Sequence, residues 1–184
     1  IELKRGEHEV FGSFLVAAYR KPDFRVDVSL TPDGAALAGT SLKASVSARY
    51  LFGGAMTKRP LAWSLTRAAT DVLPAEITDV FDSETWAFGY RPDQRRDAPA
   101  FTRIAGATVP LDASSAFAST LTSEKGVDAA YEYTFEGDVE DLSRQHIANR
   151  ASVVVHPAPW YIGLKRPGYM VTAGKGATTE VVAA

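Results

Sequence analysis

Apolar and polar residues alternate with a period of two along most of the chain, the pattern of strands that bury one face and show the other to water. Phe24, Val26, Val28 and Leu30 fall on one side, with Arg25, Asp27 and Ser29 on the other. After Pro32-Asp33-Gly34 and Gly39 the alternation resumes through Leu42, Ala44, Val46, Ala48, Tyr50 and Phe52, and Gly53-Gly54 ends it. Leu61, Trp63 and Leu65 follow Pro60. Later come a less regular run from Ile104 to Leu111, then Phe117 with Leu121, then Tyr131, Tyr133 and Phe135, and finally Ala151 to Val155. Helical spacing is hard to find. Seven or so short strands between Gly, Pro and Asp turns predict an all-β fold, an antiparallel β-sandwich of the immunoglobulin or fibronectin kind with partial neighbouring strands.

Two proline sites interrupt this rhythm in a way that suggests module seams. Between "FLVAA" and "FRVDV" stands Tyr19-Arg20-Lys21-Pro22-Asp23, with none of the glycine that a tight hairpin needs. Pro22 fixes its own φ and pushes Lys21 toward extended geometry, so the chain passes on stiffly. Pro157 and Pro159 mark a second seam. The expected organisation is a last strand of a preceding module over 1–21, a complete sandwich over 22–156, and the first strands of a following module over 157–184. Within the sandwich, residues 71–100 carry Pro74, Gly89, Pro92, Pro99 and the run "RPDQRRD", and read as a long insertion. The start, Ile1-Glu2-Leu3-Lys4, has neither an initiator Met nor a signal-peptide pattern, and reads as an internal piece of a longer polypeptide.

Composition narrows the function classes. Of 184 residues, 46% are hydrophobic and 23% charged, which is globular and not disordered. The net charge of −2 supplies no field for phosphate backbones, so nucleic acid is not an expected partner. No apolar run approaches the roughly 20 residues of a membrane-spanning helix. Cysteine is absent, which excludes disulfides, zinc-thiolate sites and thiol nucleophiles from this chain.

Candidate chemistry is sparse. His8, His146 and His156 fall in separate segments without a His-x-x-x-His or His-x-His pair, so no metal site is expected. Asp141, Ser143 and His146 lack the strained elbow that presents a catalytic serine, and read as a turn in which Asp141 and Ser143 bind local backbone. Glu136, Asp138, Glu140 and Asp141 lack the spacing of a calcium loop. Arg91, Arg95 and Arg96 are offset by Asp93 and Asp97. No catalytic residue and no cofactor site is expected. Trp63 lies among core positions. Trp86, Phe88 and Tyr90, outside the strand rhythm, either cap an open sandwich end or form a surface contact. The second possibility supports an alternative reading as an adhesin-like or carbohydrate- or protein-binding sandwich. Tyr19, Pro22 and Phe24 at one seam, and Pro157, Trp160 and Tyr161 at the other, are the candidate inter-domain joint residues.

Three stretches carry a resemblance to a known family. The Tyr-Arg-x-Pro-x-Phe joint at Tyr19 to Phe24, the Ala-Arg-Tyr-Leu-Phe-Gly strand end at Ala48 to Gly53, and the Asp-Leu-Ser-Arg-Gln turn at Asp141 to Gln145 leading to His156-Pro157 occur in order. Together they resemble the macroglobulin-like domains of bacterial alpha-2-macroglobulins, from Val16 to about Val182, although Ala18 stands where a Glu is more usual. The resemblance implies a non-catalytic module of a large protease inhibitor in the periplasm or cell envelope. In such proteins a protease cuts a bait region, the molecule rearranges, and a Cys-Gln thioester can attach it to the attacker. Neither reactive part is evident here. The partners implied are neighbouring macroglobulin-like domains of the same chain, target proteases and, for one type of family member, a peptidoglycan-synthesising penicillin-binding protein.

Overall fold

The computed structural model describes residues 21–89, 101–166, 174, 176 and 178–184 in full, and the backbone of 2–5 and 8–11. At the start, β1 (Glu2–Arg5) and β2 (His8–Phe11) pair antiparallel, Glu2 opposite Phe11. The body consists of β3 (Phe24–Pro32), β4 (Ser41–Tyr50) and β5 (Pro60–Thr70). After β5 come one helical turn, α1 (Ala75–Thr78), and a short strand, β6 (Trp86–Phe88). The body resumes with β7 (Thr102–Pro110), β8 (Ala116–Thr122), β9 (Ala130–Glu140) and β10 (His146–Val155). Last are β11 (Ile162–Lys165) and β12 (Val181–Ala183).

All seven expected strands form, and they make two antiparallel sheets, β3-β4-β8 and β10-β9-β5-β7. Three strands on four, crossing between sheets at 51–59, 111–115 and 123–129, is the fibronectin-like arrangement of a β-sandwich. The alternating stripes fill it. Leu42, Ala44, Val46 and Ala48 from β4 meet Leu61 and Leu65 from β5 and Tyr133, Phe135 and Val139 from β9, all buried. Trp63 joins them, its ring 5.7 Å from both Phe117 and Phe135. Its buried indole N–H finds no partner among the described residues.

The irregular run in β7 has a local cause. Its register against β5 shifts between Leu65 and Thr66, where Leu65 faces Ala105 and Thr66 faces Arg103. Ile104 is the extra residue of this bulge, so the in-and-out parity changes there and the alternation fails. The stripe on β4 is also shorter than its pattern implies. The alternation places Phe52 on the core face, but the strand ends at Tyr50, and Phe52 lies 79% exposed in the following turn. At the opposite edge, where β3 and β10 meet, the Asn149 side-chain amide donates to the Val26 carbonyl at 2.9 Å, tying the two sheets together.

The interior leaves no room at Gly137. A Cβ built there would lie 2.8 Å from Val46 Cγ2 and 3.3 Å from Leu61 Cδ1. Gly137→Ala should therefore destabilise the sandwich by about 1–3 kcal/mol through overpacking, despite the better strand propensity of alanine. Val46→Ala in the same chain should recover part of that loss, giving a non-additive cycle in urea unfolding. Strictly additive losses would mean that the two residues do not compete for space.

Candidate functional site

Among the described residues no group of His, Asp and Glu is arranged to hold a metal. The candidate residues instead gather at the two ends of the sandwich, where the chain enters and leaves it.

At the entrance, Pro22 is exposed and the carbonyl of Asp23 accepts a hydrogen bond from the Leu51 amide at 2.9 Å. Phe24 belongs to the interior of this sandwich, buried edge-on to Tyr50. Tyr50 is in turn covered by Phe52, stacked at 4.9 Å. Tyr19 lies outside the described residues. Two aspartates shape the loops of this end. Asp112 Oδ1 accepts from the amides of Ser114 and Ala116, and the Ser114 hydroxyl donates to it too. These bonds hold its carboxyl below the usual carboxylate range, the Ser114 side chain first among the causes. Asp141 Oδ1 likewise accepts from the amides of Ser143 and Gln145, at 2.7 and 2.8 Å. The Ser143 hydroxyl donates to Asp141, while His146 Nδ1 faces Asp138 at 3.2 Å. Ser143 and His146 thus serve separate local contacts; Asp141 binds loop backbone as the turn reading expects, whereas the Ser143 hydroxyl binds the Asp141 carboxylate instead of backbone.

At the exit, β10 runs into His156, whose backbone is held on both sides. His156 N–H donates to the Ala36 carbonyl and its own carbonyl accepts from Ala38 N–H, each at 2.8 Å. The β3–β4 turn is itself fixed by buried Ser123, whose Oγ accepts from Gly39 N–H and donates to the Thr40 carbonyl. His156 Nδ1 and the Tyr161 hydroxyl share a hydrogen bond of 2.8 Å, with the rings edge to face. Burial keeps the imidazole pKa below its ordinary value, and the Glu76 carboxylate acts in the opposite sense. Pro157 and Tyr161 line a crevice of about 80 Å³ with Thr70, Val72, Phe88 and Ala130. Trp160 is 55% exposed.

The insertion reaches this same end. Trp86 and Phe88 sit on β6, which pairs antiparallel with β11, while β12 pairs with the other side of β11. Asp82 sets up the approach: its Oδ1 accepts from the amides of Thr85 and Glu84, and these bonds lower its pKa, with Thr85 the larger cause. Phe81 packs edge-on against both Trp86 and Phe88, at 5.2 and 5.1 Å. Trp86 and Phe88 are half-buried, with their rings inclined at 32° to each other. Tyr90 and Arg91, Arg95 and Arg96 lie outside the described residues.

One polar group at this end was missed in the sequence. Arg67 continues the inward parity of Leu61, Trp63 and Leu65, and its side chain is mostly buried. The guanidinium lies 4.3 Å above the Tyr131 ring and pairs with Glu124, whose amide donates to the Tyr133 hydroxyl at 3.0 Å. An arginine on a core parity was the available signal.

Comparison with known proteins agrees with this geometry. No family model matches the chain. An alpha-2-macroglobulin homolog of Nostoc sp. is 25% identical over 177 residues, covering 96% of this chain and 9% of that protein. The native conformation of E. coli alpha-2-macroglobulin matches 96% of this chain with a TM-score of 0.65 at 15% identity. The fold of the chain is macroglobulin-like. A Salmonella alpha-2-macroglobulin reacted with methylamine matches 89% of the chain, with a TM-score of 0.58 at 16% identity. The macroglobulin-like segment spans 11% and 10% of these two solved chains, so it corresponds to a small part of far longer proteins. In sequence and in fold it resembles a segment of a bacterial alpha-2-macroglobulin.

The exit carries a pH prediction. Because folding lowers the His156 pKa, the folded state binds fewer protons than the unfolded state around that pKa. The contribution is complete above the ordinary imidazole range and declines as pH falls through it. Thermal unfolding followed from about pH 8 to about pH 5 should show a falling midpoint, and His156→Gln should flatten that part of the curve. An unchanged slope in the variant would remove His156 as its source.

Proposed function

We propose that this chain is a non-catalytic structural module of a bacterial alpha-2-macroglobulin-like protease inhibitor of the cell envelope. The observation that carries the reading is the match along 96% of the chain to 11% of the native E. coli protein. Structures of that protein activated by trypsin and by elastase add that proteases act on the relative. The absence of cysteine assigns any thioester to another part of the parent.

In this reading 22–156 is the complete module, 1–21 belongs to a preceding one, and 157–184 opens a following one. The bare face of the small sheet supports the last assignment. Ile162, Leu164 and Val181 are 47%, 41% and 61% exposed on one side of β11 and β12, an apolar surface suited to the strands of a second sandwich. Pro22, Trp160 and Tyr161 act as joint residues, holding neighbours at defined angles. No residue is assigned a catalytic role.

The test uses the full-length parent, incubated with a broad-specificity protease while residual activity on a large substrate and scattering dimensions are followed. Cleavage at one exposed segment, loss of activity on the large substrate and a change of shape are expected. Indiscriminate digestion by an unimpaired protease would sink the inhibitor assignment. Within the same protein, Pro22→Gly should leave the unfolding midpoint of the module nearly unchanged and increase flexibility in small-angle scattering. No gain in flexibility would leave Pro22 without a role in the joint.

A further inference from the structure

We infer that residues 71–89, the described part of the insertion between β5 and β7, act as a strap that fixes the orientation of the sheet following the sandwich, by donating β6 to it. The chain order assigns β6 to the sandwich, since β5 and β7 pair with each other on either side of it. Its hydrogen-bonding partner is β11, which lies beyond the last sandwich strand. Phe88 stands opposite Gly163, Ala87 opposite Leu164 and Trp86 opposite Lys165, and the Arg166 amide donates to the Thr85 carbonyl at 2.7 Å to extend the pairing.

The small sheet is thereby attached at two places far apart in sequence. One is the exit segment, with His156 tied to the β3–β4 turn and to Tyr161. The other is the strap. Between them lies the crevice lined by Thr70, Val72, Phe88, Ala130, Pro157 and Tyr161. The two attachments, on either side of this crevice, set the angle. A single attachment would leave a hinge, whereas two close a loop.

The side chains are suited to this role. Phe81 braces both strap aromatics, and the Phe88 ring covers Gly163 so closely that a Cβ there would come within 2.4 Å of it. Gly163 also admits Val182 from β12 on its other side. The contact is specific but spans only three paired residues, so it can be peeled away without opening the sandwich core. The strap holds whether or not the parent inhibits proteases, because it depends only on contacts within this chain.

The test is made in the full chain with spin labels on Thr120→Cys of the sandwich and Ala183→Cys of the small sheet. Two variants release the strap differently: Trp86→Ala with Phe88→Ala removes its anchors, and Gly163→Val drives Phe88 from β11. Both should broaden the inter-label distance distribution about twofold or more, and speed amide exchange at 86–88 about tenfold, with β4, β5 and β9 as protected as before. An unchanged distribution in both variants overturns the inference, since the exit segment alone would then set the angle. Loss of protection across β4, β5 and β9 overturns it too, because sandwich and sheet would then be one cooperative unit.

Discussion

The close approach of the two sheets at Gly137 governs the rest of the interior. Val46, at the centre of the three-stranded sheet, enters the space a side chain on β9 would fill, with Leu61 beside it. Around that point the stripes of β4, β5 and β9 interlock in one register. A slip of one residue in any strand would send its whole apolar set to solvent. Glycine is tolerated inside a strand here because the opposite sheet supplies the missing packing.

Away from that level, the problem changes from filling space to satisfying backbone. Loops that cross between sheets cannot use the ladder, yet parts of them are buried, so their polar groups need side-chain partners. Ser115, Ser123 and Asp141 are the buried polar side chains among the described residues, and each serves a loop. Ser115 Oγ accepts from the Met56 amide at 2.8 Å, joining the 51–59 and 111–115 crossings. Ser123 does the same for the β3–β4 turn at the opposite end. Arg67 ends the core stripe of β5 in the same spirit, presenting an aromatic-stacked cation where the sandwich opens.

Legibility in the sequence divides along the same line. The seven sandwich strands announced themselves because each buries one face, and the one irregular run was irregular for a physical reason, the bulge at Ile104. Phe52 was misplaced because Gly53-Gly54 marks a turn without saying where it begins. Asp141 and Ser143 were readable as a local turn. The pairing of Trp86 to Phe88 was not, since three residues are too few to show a period and the partner strand lies far along the chain. Arg67 was legible only through its parity, which continues the inward stripe of Leu61, Trp63 and Leu65.

The proline seam illustrates a limit of local reading. Pro157 and Pro159 stiffen the path out of the sandwich, but neither has an N–H with which to join a sheet edge. Stiffness alone therefore cannot choose an angle for the small sheet beyond them. The residues on either side of the prolines supply one of the two attachments that constrain it, the β6–β11 pairing supplying the other. His156 is bonded through its backbone to the β3–β4 turn, and Tyr161 is bonded to both His156 and the terminal strand at Ala184. A seam that looks in the sequence like a rigid spacer is in the fold a short bridge between two hydrogen-bonded piers, and its geometry is set by the piers.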